Sequence, residues 1–401
     1  MAGKTPSGRP PGSAGTALHT GRLYAKINNM FLMSEFLKWR LNSVATQFEP
    51  ALKVEEIARL KGGHINSTYH VRGMINGRYD DFVLQRLNTQ VFTEPDKVMD
   101  NIRRVSSHLK KKVRENKNVR IKPLEFRTAS DGRYFFIDDK GEFWRVMEYV
   151  KGGFSIDHAE TVTQAYETGK AFGEFQLLLA DLPGDPLQIT IPKFHDTAAR
   201  FEQLEEAFKK DAAGRAKSVE KEMDFCFKRK DSITCVLDGI RDGSIPERVT
   251  HNDTKINNVL LDAEGKRLCV IDYDTLMPGS SLYDVGDCVR STTRTGEEDE
   301  RDLSKIHMDI GLFEGLLRGF ISAAKSMLSE REKELLYFAG NLITFEIGLR
   351  FLADHLNGDV YFHTDREGHN LDRARVQFKM VESMEEQESE MRKLLEELLK
   401  D

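Results

Sequence analysis

The sequence predicts an α+β chain in two lobes, a small antiparallel-sheet lobe followed by a larger helical one. Three observations predict it. The chain has 401 residues, too many for one compact core. Between residues 54 and 150, short apolar runs alternate with turn dipeptides such as Asn76-Gly77 and Asp131-Gly132, the pattern of antiparallel strands. After Lys151-Gly152-Gly153 the apolar residues move to helical spacing. The expected division is a disordered tail at 1–25, an N-terminal lobe at 26–150 and a C-terminal helical lobe at 151–401.

Composition narrows the function classes. Hydrophobic residues make up 39% and charged residues 31%, the balance of a globular chain. No apolar run approaches the ~20 residues that span a membrane, so no membrane contact is expected. A formal net charge of −6 argues against a nucleic-acid binder that works by general electrostatics. The four cysteines, Cys226, Cys235, Cys269 and Cys288, form no C-x-x-C pair and read as reduced residues of a cytoplasmic protein. Nothing in the sequence sets the oligomeric state.

Taken in order, residues 1–20 are rich in Gly, Pro, Ser and Thr and carry no apolar h-region, so they read as a tail and not a secretory signal. An amphipathic helix is expected over 27–48, with Ile27, Phe31, Leu37, Leu41, Val44 and Phe48 near one face. A mitochondrial presequence fits less well, because Glu35 sits inside that helix; Met33 offers an internal start. Strands follow at 54–60, 67–71 and 82–87. Gly62 and Gly63 between the first two would let backbone N–H groups approach phosphates. A helix at 94–115 starts at Pro95. Strands at 121–127, 133–137 and 143–150 complete the sheet, and 151–153 is the hinge. Helices then occupy 161–179, 198–208, 218–227 and 332–356, and a charged helical stretch follows Met384.

The stretch from Thr250 to Asp287 carries the chemistry. It reads T-H-N-D-T-K-I-N-N-V-L-L-D, a turn at Glu264-Gly265, then R-L-C-V-I-D-Y-D-T-L-M-P-G-S-S-L-Y-D-V-G-D. The apolar runs 259–261 and 268–271 form a hairpin, which brings Asn258 and Asp272 to one end. An amide oxygen beside a carboxylate suits Mg²⁺, which needs only one or two protein ligands plus phosphate oxygens. Asp253, in the polar loop before the hairpin, is placed to accept a proton, the division of labour found in phosphoryl transfer to a hydroxyl.

This H-x-D-x-x-x-x-N pattern, followed by a strand ending in I-D, resembles the signature of aminoglycoside phosphotransferase and choline kinase-like enzymes. G-G-H-I-N-S-T-Y (62–69), F-V-L-Q-R-L-N (82–88), H-N-D-T-K-I-N-N, I-D-Y-D-T-L-M-P-G and F-E-I-G-L-R-F-L-A-D-H-L-N-G-D-V-Y-F (345–362) resemble N-acetylhexosamine 1-kinases within that family. The similarity runs from about Val54 to about Met384. It implies a bilobal protein-kinase-like fold with ATP and Mg²⁺ bound between the lobes. It also implies phosphoryl transfer to the anomeric hydroxyl of a small-molecule sugar, with Asp253 as base and Lys255 as the cation beside the transferring group. Gly62, Gly63, His64 and the backbone of Glu148–Val150 would bind the nucleotide, and Asp274, Thr275, Arg350 and Tyr361 would surround the sugar. I-P-K-F-H-D-T (191–197) also matches, although His195 alone reads as a loop or core histidine.

One departure stands out. Protein kinases carry a lysine on the third strand, where this chain has Gln85 and Arg86. Alternation lets only one of the two face the cleft. The sequence leaves both open, and Arg86 is carried among the nucleotide-binding candidates. Arg350 has two readings as well. It lies four residues after Glu346, the spacing of a surface ion pair, whereas the resemblance turns it to the active site. The competing functions are the same fold acting on an amino alcohol or aminoglycoside, a protein kinase, and a catalytically dead nucleotide- or sugar-binding module. The absence of D-F-G, A-P-E and G-x-G-x-x-G weighs against the protein kinase.

Overall fold

The computed structural model of the chain describes residues 34–60, 65–116 and 118–400. The tail at 1–25, the start of the expected helix at 27–33, and Gly62, Gly63 and His64 lie outside the described residues.

Helix α1 (Glu35–Phe48) opens on Ser34, whose hydroxyl accepts from Leu37 N–H, and buries Leu41, Val44, Ala45 and Phe48. Strands β1 (Leu52–Arg59), β2 (Ser67–Ile75) and β3 (Arg78–Arg86) form a meander. Asn76 and Gly77 take φ of 49° and 81° between Ile75 and its partner Arg78, as a two-residue hairpin turn requires. Helix α2 (Pro95–Glu115), β4 (Phe126–Arg127), β5 (Phe136–Ile137) and β6 (Phe143–Glu148) follow. The sheet runs β1-β2-β3-β6-β4 with β5 also on β6, all antiparallel. The strands expected at 121–127 and 133–137 shrink to two residues each. Pro123 has no N–H to give a ladder, and Lys122 N–H donates to Leu268 O at 2.7 Å instead.

The two sheet faces go to different cores. Phe82, Leu84, Trp144 and Val146 pack with α1 in a small cluster. Phe143, Met147 and the buried face of α2 (Val98, Met99, Ile102, Val105, Leu109) join the core of the helical lobe. The change of structure at residue 150 is therefore not a gap between cores.

In the second lobe α3 (Val162–Leu179) starts at a Thr161/Gln164 capping box. Helices α4 (Thr197–Lys210), α5 (Glu220–Phe227) and α6 (Cys235–Asp242) lead to β7 (Arg248–Thr250). The hairpin β8 (Val259–Leu261) and β9 (Arg267–Val270) follows, and β10 (Met277–Gly279) returns to pair with β7. Helices α7 (Ser281–Thr292), α8 (Ile310–Ala324), α9 (Glu330–Leu356), α10 (His369–Glu386) and α11 (Glu388–Lys400) complete the lobe. Helices α3 and α8 touch backbone to backbone: a Cβ on Gly169 would lie 2.1 Å from Leu316 O, and one on Gly319 2.1 Å from Tyr166 O. Helix α9 is long and apolar enough to cross a membrane, but 72% of its most apolar window is buried in the lobe. The charged C-terminal stretch folds back as α11, burying Met391, Leu395 and Leu398.

Candidate active site

Pairing of Met277 with Thr250 sets the loop after β7 beside the loop after β9. His251 joins them. Its Nε2 lies 2.9 Å from Ile271 O, and its Nδ1 accepts from Asp253 N–H at 3.3 Å, which fixes the proton on Nε2. Asn252 adopts φ of 62°, a left-handed turn that asparagine tolerates better than most residues. The turn is held from behind by Asp284 of α7. That buried carboxylate accepts from His251 N–H (2.9 Å), Asn252 N–H (2.7 Å) and Gln176 Nε2 (2.6 Å). Asn252 Nδ2 donates to Thr275 O, and Thr275 Oγ1 donates to His251 O at 2.6 Å. The Thr275 hydroxyl thus clasps the loop.

The turn presents Asp253. One carboxylate oxygen lies 2.7 Å from Lys255 Nζ, and the other accepts from Asn258 Nδ2 at 3.1 Å. Burial pushes this carboxyl up, but Lys255 first, with Arg290 behind it, outweighs burial and holds Asp253 below the usual carboxylate range. The Lys255 ammonium shifts the other way. Burial would lower it, and Asp253 and Asp287 raise it further.

Asn258 and Asp272 meet at one end of the hairpin, since Val259 pairs with Val270 and Ile271 N–H donates to Asn258 O at 2.9 Å. Asp272 has φ of 66° and opens into the cleft. Its carboxylate has no hydrogen bond or ion pair among the described residues. Although the residue is exposed, desolvation by the cleft walls, then Asp274 and Asp253, push its carboxyl up to about 7. The Asn258 amide nitrogen is spent on Asp253 O and Oδ2, which leaves Oδ1 as an acceptor. A crowded carboxylate and an amide oxygen are hard donors that fit Mg²⁺, with phosphate oxygens completing its shell.

The two faces of the sheet resolve which of Gln85 and Arg86 turns toward the cleft. Arg86 shares the α1 side with Leu84 and pairs with Glu142 (2.6 Å) and Ser67 (3.1 Å); it is not brought to the cleft, and its candidacy is corrected. Gln85 points the other way. Its Oε1 accepts from Arg145 Nε (2.9 Å) and Nη2 (2.5 Å). Arg145, on the neighbouring strand at the paired position, carries its buried guanidinium to Asp274 at 2.5 Å. Asn66 Nδ2 reaches the other Asp274 oxygen at 2.6 Å. Asp274, expected at the sugar, is therefore fastened to the sheet lobe. At the hinge, Glu148 pairs with Arg127 (2.8 Å) and its N–H goes to Glu125 O, while Val150 O accepts from Gly153 N–H.

On the other wall, the surface pair that helical spacing offers between Glu346 and Arg350 does not form. Glu346 is fully buried and accepts from His195 Nδ1 (2.8 Å) and Thr197 Oγ1 (2.7 Å). Arg350 has no ion pair among the described residues. Its guanidinium lies 5.5 Å from the Phe194 ring, 5.9 Å from Tyr361 and 5.5 Å from Phe362, within cation–π range. Arg200 is close enough that burial and then Arg350 hold its pKa below the ordinary value. The exposed Tyr361 sits on a loop clamped by Asp354, which accepts from Val360, Tyr361 and Phe362 N–H at 2.9–3.0 Å.

Sequence reasoning missed Asp284, Asp354 and Arg145. Arg145 did carry a signal: it is the lone charge inside F-W-R-V-M, where a fully covered strand has no place for an unpartnered guanidinium.

A sequence model described as the phosphotransferase enzyme family matches residues 56–312. Among solved structures, an aminoglycoside phosphotransferase from Alicyclobacillus acidocaldarius superposes with a TM-score of 0.57 at 13% identity, over 89% of this chain and 96% of that one. A Plasmodium vivax ethanolamine kinase gives 0.54 at 14% identity, over 89% and 92%. A spectinomycin phosphotransferase in complex with ADP and spectinomycin gives 0.50 at 11%, over 87% and 98%. At these identities the likeness establishes the bilobal kinase-like fold.

Proposed function

The chain belongs to the phosphotransferase enzyme family, and from that premise we propose that it transfers the γ-phosphoryl group of ATP to the anomeric hydroxyl of an N-acetylhexosamine, giving the sugar 1-phosphate. The observation that carries the reaction is the convergence of Asp253, Lys255, Asn258 and Asp272 around one end of a hairpin. Asp253, kept ionised, orients the acceptor hydroxyl and takes its proton as oxygen attacks phosphorus. The bond from phosphorus to the ADP oxygen breaks, and ADP leaves. Lys255 offsets the negative charge spread over the transferring oxygens. Asn258 Oδ1 and the Asp272 carboxylate would hold Mg²⁺, which when bound neutralises phosphate charge. Arg350 and Tyr361 supply directional and stacking contacts for a neutral ring.

The substrate rests on the resemblance of the separated motifs and on charge. An ethanolamine or aminoglycoside acceptor is cationic and would meet Arg200 and Arg350, neither of which has an ion pair among the described residues. A dead binding module would have little use for Asp253, and Arg145 brings a guanidinium to the face where the third-strand lysine is missing. Phosphorus NMR of reactions with GlcNAc, GalNAc, glucose, galactose and choline tests the reading. A sugar 1-phosphate signal with the two N-acetylhexosamines supports it, and turnover of choline alone, or of none of the panel, defeats it.

A further inference from the structure

His195 lies in the turn before α4, buried between the rings of Phe194 and Tyr283. Both of its nitrogens face acceptors. Nδ1 is 2.8 Å from a Glu346 carboxylate oxygen, and Nε2 is 3.1 Å from the Asn252 carbonyl oxygen. A carbonyl can only accept, and an ionised carboxylate can only accept. A neutral imidazole has one N–H and can satisfy one of the two; an imidazolium satisfies both. The other Glu346 oxygen is already taken by Thr197; burial pushes the Glu346 carboxyl up, but His195 first, then Thr197 and Arg350 one turn along α9, hold it below the usual carboxylate range. The residue so gripped is Asn252, whose left-handed φ sets the direction of Asp253.

We infer that His195 is a positioning residue of the transfer reaction: as an imidazolium clamped by Glu346 it holds the Asn252 carbonyl, fixes the turn that aims Asp253, and ties that turn to the helix bearing Arg350. The inference rests on the reading of Asp253 as the base. Catalysis of this kind depends on placement, and a shift of about 1 Å in the base costs up to ~100-fold.

The groups facing His195 set its pH response. They are Glu346 and, behind it, Arg350 from α9, Thr197 from α4, Tyr283 and Asp287 from α7, and the Asn252 carbonyl from the loop. Burial alone would lower the imidazole pKa, but Glu346, then Asp287 and Asn252 O, raise it above the ordinary value. The clamp is therefore complete below the ordinary histidine pKa of ~6.5 and is lost as pH rises through the raised one.

Nitrogen NMR of the ¹⁵N-histidine-labelled protein, assigned with His195→Gln, tests this without any acceptor. A ring protonated at both nitrogens at neutral pH, titrating above the ordinary value, is expected; a neutral ring at pH 6 overturns the inference. In kinetics with MgATP and N-acetylglucosamine, His195→Gln and Glu346→Gln should each lower kcat about tenfold or more. The KM for ATP should stay within about twofold, and the alkaline fall in kcat that parallels the NMR titration should disappear. Variants that keep kcat and the alkaline limb of the parent defeat the inference. If the parent does not phosphorylate N-acetylglucosamine, the proposed acceptor is wrong, and the NMR titration alone decides the clamp, as it does if a variant fails to fold.

Discussion

Around Asp253 nearly every polar atom is committed. Asp284 takes two loop amides, Thr275 takes a loop carbonyl, His251 bridges to Ile271, and Asn258 and Lys255 hold the Asp253 carboxylate. Around Arg350 the reverse holds. Its guanidinium faces aromatic rings and has no ion pair among the described residues, Arg200 crowds it, and Tyr361 lies open on a clamped loop. The loop is built so that one geometry is over-determined, as transition-state chemistry requires. In the proposed function the wall leaves its charge for a ligand to satisfy, as recognition requires. Reaction type and acceptor choice are therefore separable in that proposed function: the first rests on the carboxylates and amides of the loop and hairpin, the second on a few uncommitted side chains.

The largest effect should follow from breaking the committed side. Asp253→Asn should lower kcat by ~10²–10⁴ and leave nucleotide affinity within about threefold, measured by steady-state kinetics and calorimetry. A kcat near that of the parent removes Asp253 from the base role. Next in size, Asn258→Ala and Asp272→Ala should each weaken MgATP binding at least about tenfold, ~1.4 kcal/mol, while sugar affinity holds. A selective loss of sugar affinity would exchange the roles of hairpin and wall. On the uncommitted side, Arg350→Ala should lower kcat/KM for the hexosamine about tenfold, ~1.4 kcal/mol, with little change in Tm, because no buried partner is stranded. A Tm drop without a kinetic change would make Arg350 structural. Glu346→Ala is no neutral control for this test, since it strands His195. The smallest effect is expected at Arg86. Arg86→Ala breaks a half-exposed pair with Glu142 worth ~0.2–1 kcal/mol and should leave ATP affinity within about twofold in calorimetry; a larger loss would return Arg86 to the cleft.

Much of the committed region was legible because its logic is local. The hairpin that joins Asn258 to Asp272 follows from two apolar runs and a Glu-Gly turn, and Asp253 from its spacing. The rest depends on partners far apart in sequence. Nothing near Glu346 says that it is buried against His195, 151 residues away, so helical spacing suggested a surface pair with Arg350. The choice between Gln85 and Arg86 turned on which sheet face α1 covers, a tertiary fact. The strand at 121–127 is shorter than its apolar content suggests because Pro123 interrupts it, and α11 is not placed by sequence because its apolar contacts lie on other helices.

If the chain turns over ATP as proposed, the tie between Asp274 and the sheet lobe bears on how fast it can exchange nucleotide. Asn66 and Arg145 both hold Asp274, Asn101 of α2 donates to Leu276 O at 2.9 Å, Lys122 N–H to Leu268 O at 2.7 Å, and Arg120 pairs with Asp262 at 2.5 Å. These links lace the cleft from several sides, so the lobes cannot swing apart on residues 151–153 alone. Separating them would strand a buried guanidinium and a buried carboxylate at once, which is far costlier than bending a glycine-rich hinge. For the proposed reaction, ADP departure is then expected to wait on rare unlatching, and that waiting time would cap turnover however fast the phosphoryl group moves. Stopped-flow release of a fluorescent ADP would measure that waiting time, and release much faster than kcat would show that the latch does not set the pace.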